Sequence, residues 1–213
     1  MRVGWIAAIA AILSFALAGG VAWKAAQPAR ALPFTTFQLG SAKLTILNGY
    51  LRPSSRGGAR DRIQVAAFYP DFAPAGADDD IRRDTDLDAR FAKTLFLTLS
   101  PASGDLDPAQ RVGKLYLRFL DETNWSHPGG LVAQAFKPDS PFAGDELYYV
   151  APEGHEFAAR CPLPDATRKT PSTCAADYRF GDLDVELRFP EALLAEWSAL
   201  SAGVNGFVEA ARR

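Results

Sequence analysis

Asp84, Asp86 and Asp88 stand at alternate positions in DTDLD, the pattern that opens a calcium loop. Such carboxylates converge on one cation where the chain turns sharply. The loop also needs glycine at its sixth position and a bidentate glutamate at its twelfth. Here Ala89 and Leu95 hold those positions, and Arg82, Arg83 and Arg90 compete for the carboxylates. The stretch reads as a solvated loop of mixed charge.

The chain has two histidines. His155 and Glu156 begin like the zinc motif HExxH, but Ala159 stands where the second histidine belongs. His127, in WSHPGG, reads as a turn residue beside Trp125. Together with Glu153 and Glu156 they would hold a metal only if the fold gathered them, so no metal site is assigned. Asp145 with Glu146, and Asp184 with Glu186, are the carboxylate pairs open to acid–base work. At strand ends and turns such pairs read as solvent-facing. Neither GxSxG, GxGxxG nor GxxxxGK followed by Ser or Thr occurs. A nucleophile elbow and the common nucleotide loops therefore have no support. No catalytic residue and no cofactor are assigned.

Cys161 and Cys174 bound the segment CPLPDATRKTPSTC and are the chain's two cysteines. CxxC spacing is absent, and no histidine flanks either one closely. With an export signal, an even pair reads as one disulfide in an oxidising compartment.

Aromatic residues concentrate in residues 125–157 among glycines and prolines. Ordered loops of this kind make binding faces. The candidate binding residues are Trp125, His127, Phe142, Tyr148, Tyr149 and His155. The same residues read equally as core aromatics on short strands, and the pattern favours that reading. Tyr148 and Tyr149 must point to opposite faces of a strand, which leaves room for at least one at the surface.

The elements that would position these groups follow a leader. Residues 3–23 (VGWIAAIAAILSFALAGGVAW) carry no charge. That is the length a helix needs to cross a bilayer core of roughly 30 Å. Trp5 and Trp23 would stand about 27 Å apart at roughly 1.5 Å per residue, one indole near each interface. The expectation is a retained transmembrane anchor over residues 1–23. The alternative is cleavage near Ala18, where Ala16-Leu17-Ala18 offers a small-x-small exit site. Residues 24–33 (KAAQPARALP) form a tether, and residues 34–213 form the extracytoplasmic domain.

In that domain, residues 43–47, 62–69, 93–99 and 114–120 alternate with period two and read as strands. So do the shorter 146–150, 156–161, 177–180 and 184–189. Asn48-Gly49 predicts a hairpin turn, and residues 131–136 a short helix. After Pro190, Leu193, Trp197, Leu200, Val204, Phe207 and Ala211 recur at helical spacing, which predicts one C-terminal helix packed on the sheet. No regular strand–helix alternation occurs, so the fold class is α+β: a mainly antiparallel sheet with a C-terminal helix, behind an N-terminal transmembrane helix.

The 23 Lys and Arg against 25 Asp and Glu leave a formal net charge of −2. With no basic stripe carrying interleaved aromatics, nucleic acid is excluded as a partner. The expected partners are the membrane, through the leader, and another envelope protein. The expected role is non-catalytic binding or scaffolding from an inner-membrane anchor with the domain in the periplasm. The alternative is an exported enzyme of the hydrolase class, its site not legible in the sequence.

Overall fold

The computed structural model describes residues 34–56, 61–76, 86–104, 106–164 and 171–213. The expected membrane helix at 3–23 and the tether at 24–33 lie outside them, as does Asp84. Among the described residues no helix is long and apolar enough to cross a membrane.

Alternating apolar residues build one large antiparallel sheet. Its nine strands are β3 (Ile63–Phe68), β4 (Ala73–Pro74), β5 (Thr94–Pro101), β6 (Leu120–Ser126), β7 (Val132–Phe136), β8 (Asp145–Tyr149), β9 (Ala158–Pro162), β10 (Thr173–Phe180) and β11 (Leu183–Pro190). Their order is β4-β3-β5-β11-β10-β9-β8-β7-β6. A separate hairpin joins β1 (Phe34–Leu39) to β2 (Ala42–Leu47). Among the described residues the α-helices are the short α1 (Leu87–Phe91) and the C-terminal α2 (Trp197–Ala211). Phe34–Arg213 form one compact unit.

Register aligns the apolar residues into ladders. Val65 faces Leu97, Leu97 faces Leu187, and Leu187 faces Ala176, all at most 1% exposed. Phe37, Leu39, Leu44 and Ile46 of the hairpin, and Leu200, Val204 and Phe207 of α2, join the same core. At about 1.5–3 kcal/mol per fully buried side chain, this cluster is the main stabilising element. Cys161 and Cys174 are bonded across β9 and β10 with their Cα atoms 4.1 Å apart, inside this core. The opposite sheet face carries a second core of Val112, Tyr116, Leu120, Phe136, Leu147 and Tyr149.

The mainly antiparallel sheet and its C-terminal helix match the expected α+β class, but several elements differ. The hairpin turn falls at Gly40-Ser41, not Asn48-Gly49. Gly40 takes φ +58° at the first position of a two-residue loop, which glycine favours. Asn48–Tyr50 form a 3-10 turn, and the Thr35 hydroxyl donates to Asn48 Oδ1 at 2.6 Å. Residues 114–120 are not a strand. Val112–Tyr116 and Leu117–Phe119 are helical turns. Val112, Tyr116 and Leu120 recur every fourth residue and reach the second core together. Residues 131–136 are not a helix either. Val132–Phe136 is a strand, held by pairing with β6 and β8. The helix after Pro190 begins as a 3-10 segment, Glu191–Glu196, before α2. Leu193 and Trp197 are only half-buried, at the rim of the stripe.

Two glycines of α2 separate packing from propensity. A Cβ on Gly203 would lie 1.9 Å from Phe72 Cε2, and that ring is itself buried. A Cβ on Gly206 would meet nothing within 4 Å. Gly203→Ala should cost about 1–3 kcal/mol through overpacking, more than its gain in helix propensity. Gly206→Ala should instead gain up to about 1 kcal/mol. Thermal melts should move in opposite directions, and equal shifts would contradict the Phe72 contact.

Candidate functional site

Beside the second core, the same sheet face is polar. Along β11, Asp184, Glu186 and Arg188 alternate with the buried Leu183, Val185, Leu187 and Phe189. Period two puts all three charges on that one face. Asp177 of β10 is the register partner of Glu186, and Arg179 is the partner of Asp184. Thr98 faces Glu186 from β5.

Directly opposed carboxylates repel, and arginines answer them here. Arg111, on the turn before the helical segment, bonds Asp177 at 2.5 Å. Arg188 bonds Glu186 at 2.5 Å. Arg179 grips Asp184 with two bonds, Nε at 2.7 Å and Nη2 at 2.9 Å. Arg160 of β9 pairs with Asp145 at 3.2 Å. Asp61, Arg62, Thr98, Arg111, Asp177 and Glu186 are among the residues lining a cavity of about 430 Å³ on this face.

Environment separates the two aspartates. Burial raises the Asp177 pKa, and Glu186 and Asp184 add to it; Arg111 and Arg160 pull the other way without cancelling it. Burial also acts to raise Asp184. There it is outweighed by the bonds from Arg179 and the Ser103 N–H, which leave that pKa lowered. Arg111→Ala should therefore push Asp177 still higher, because the guanidinium is what lowers it. Carboxyl ¹³C shifts followed against pH would show this, and an unchanged or lower midpoint would contradict the pairing.

The arrangement is a mixed-charge platform rather than a pocket for one free ion. Each of the four arginines sits against a carboxylate. Among the described residues no group of three or more His, Cys, Asp or Glu could hold a metal.

Among the described residues the sequence-derived candidates do not gather on this polar face; Tyr149 and Phe142 meet at the second core instead. Tyr148 and Tyr149 do point to opposite faces, but each meets a core, at 9% and 6% exposure. The sheet is covered on both sides at β8, so neither is a surface residue. The Tyr148 hydroxyl donates to Glu146 at 2.6 Å, and the Tyr149 hydroxyl to Gln134 at 2.8 Å. Phe142 packs edge-on to Tyr116 at 5.1 Å beside the second core. His127 is exposed at the start of the Pro128–Gly130 turn. His155 is exposed too, with Nδ1 2.8 Å from the Ala109 carbonyl and Nε2 3.1 Å from Glu153. Trp125 lies on β6, and its side chain is outside the described set. In the aspartate stretch, Asp86 caps α1 by accepting from the Ala89 N–H at 2.9 Å.

The platform residues Arg111, Arg160, Asp177, Arg179 and Arg188 were not among the candidates. The alternation of β11 was a legible signal for Asp184, Glu186 and Arg188. The contribution of Arg111 was not, since it lies 66 positions from Asp177.

A nine-stranded antiparallel sheet with a hairpin and a C-terminal helix on one face defines the fold class. No family model matches the chain, and no curated protein matches it in sequence. The fold is similar to that of an immunity protein of the Stenotrophomonas maltophilia type IV secretion system. That match has a TM-score of 0.60 at 13% identity, over 85% of this chain and 94% of that one. A second match is to the Neisseria meningitidis iron-regulated outer membrane lipoprotein FrpD. Its TM-score is 0.48 at 13% identity, over 83% of this chain and 92% of that one.

Proposed function

We propose that this is an envelope protein with a non-catalytic binding role, held to the membrane by residues 3–23, with its disulfide-bearing domain outside the cytoplasm. The observation that carries the binding role is the polar sheet face. Three arginines on the sheet and Arg111 on the turn beside it pair with carboxylates across this face, and Arg111, Arg160, Asp177, Asp184 and Glu186 line its cleft. Alternating signs on a fixed frame suit a protein partner of complementary pattern, since such charges set specificity and association rate more than raw affinity. The Cys161–Cys174 bond supports an oxidising compartment.

Placement is tested in spheroplasts. Protease added outside should degrade the domain while a cytoplasmic marker survives; an untouched domain would overturn the orientation. Mass spectrometry of the mature N-terminus distinguishes a retained anchor from cleavage near Ala18.

The fold shared with an immunity protein supports a narrower form, protection of the cell by binding a secreted effector. A deletion strain should then lose contact-dependent competition against its wild-type sibling, and the full chain should restore survival. Equal survival would reject the immunity form. The enzymatic alternative, a hydrolase, would be favoured by turnover of a substrate that stops on Asp177→Asn.

A further inference from the structure

The polar face ends in a cavity of different character. Around Ala66 of β3 and Phe96 of β5, register partners one ladder step from Arg188, the sheet floors a cavity of about 440 Å³. Phe91 of α1 also lines it and stands 6.4 Å from Phe96, ring to ring. The volume is that of a small-molecule site, where apolar walls carry a few polar groups that fix orientation.

The charged groups at this cavity differ in their partners. Arg52, Arg90 and Asp88 are the charged residues among the described ones that line the cavity. Arg90 lies over the Phe68 ring at 4.7 Å. Arg52 lies over the Phe96 ring at 5.0 Å, and among the described residues it has no carboxylate in ion-pair reach. This contrasts with Arg111, Arg160, Arg179 and Arg188 on the same face, each of which has one. A cation stacked on an aromatic ring keeps its N–H edge for a further acceptor, and a planar guanidinium matches a carboxylate bidentately.

We infer that this cavity is a binding site for a small amphipathic carboxylate, an aromatic or acyl acid. Its apolar body rests against Phe96, Phe91 and Ala66, and its carboxylate pairs with Arg52. The site goes beyond the partner-binding role of the neighbouring face and does not depend on it.

The test uses the full chain in lipid nanodiscs, because detergent would enter an apolar cavity, with empty nanodiscs as the partition control. 2-Naphthoate is the probe and neutral 2-naphthamide its isostere, titrated by calorimetry. The acid should bind saturably at one site and about tenfold or more tighter than the amide, the effect of one charge-assisted contact. Arg52→Gln should abolish that preference and leave the amide unchanged. Equal binding of acid and amide, a preference that survives Arg52→Gln, or no saturable binding up to millimolar probe would each overturn the assignment. So would Arg52→Gln weakening capture of a protein partner while the wild type ignores naphthoate; that result would make Arg52 part of the docking face.

Discussion

Phe189→Ala is expected to destabilise the domain by about 3–5 kcal/mol, the range for deleting a large aromatic from a closed core. Phe189 is 0% exposed, is the register partner of Cys174, and lies 6.4 Å from the Phe157 ring. It thus ties the disulfide to the layer under α2, and its neighbours are the buried residues of the first core. Unfolding free energies of domains run to roughly 5–15 kcal/mol, so this one change removes a large share. For a domain of this size each kcal/mol moves the melting temperature by about 2–4 °C. A shift of about 6–20 °C is expected on the domain beginning at Phe34, and one under about 4 °C would contradict the core assignment. Trp197→Ala should cost less, because Trp197 is half-buried and packs on Phe157 from the rim at 5.7 Å.

Loss of the disulfide is expected to cost about 2–5 kcal/mol, as for native bridges in small exported domains. The bond closes a loop between cysteines 13 positions apart. It also pins β9 to β10 at the centre of the sheet. The unfolded chain gains freedom when the bridge is cut. The Cys161→Ser/Cys174→Ser double variant and the reduced wild type should melt at similarly lowered temperatures. Thiol labelling of the unreduced, denatured protein should find neither cysteine. Stoichiometric labelling of both would refute the bond, and with it the support for an oxidising compartment.

Physics explains which parts of this molecule could be read from the chain. Strands β5 and β11 were legible because each sets a buried apolar row against a mostly polar one, and β3 because Ile63, Val65 and Ala67 recur at period two on its buried face. The α2 stripe was legible for the same reason at helical period. Tyr148 and Tyr149 fit the core-aromatic reading, because β8 is covered on both faces and alternation carries no surface signal there. Residues 114–120 misled because Leu115, Leu117 and Phe119 alternate by chance. The residues that anchor the segment, Val112, Tyr116 and Leu120, are spaced by a helical turn and begin outside the alternating window. The polar face was half visible. Its charges on β11 follow from pattern, whereas the Arg111–Asp177 and Arg160–Asp145 pairs depend on chain topology, which a single sequence does not display.

We propose that this polar face docks a protein partner outside the cytoplasm. Photo-crosslinking in intact cells tests it most directly. A photo-reactive residue placed at the exposed Arg188 should yield one discrete, mass-identified adduct with an exported protein. The same residue at the exposed Gln38, on hairpin strand β1, serves as control and should yield none. An adduct from Gln38 and none from Arg188, or adducts only with cytoplasmic proteins, would contradict docking on this face.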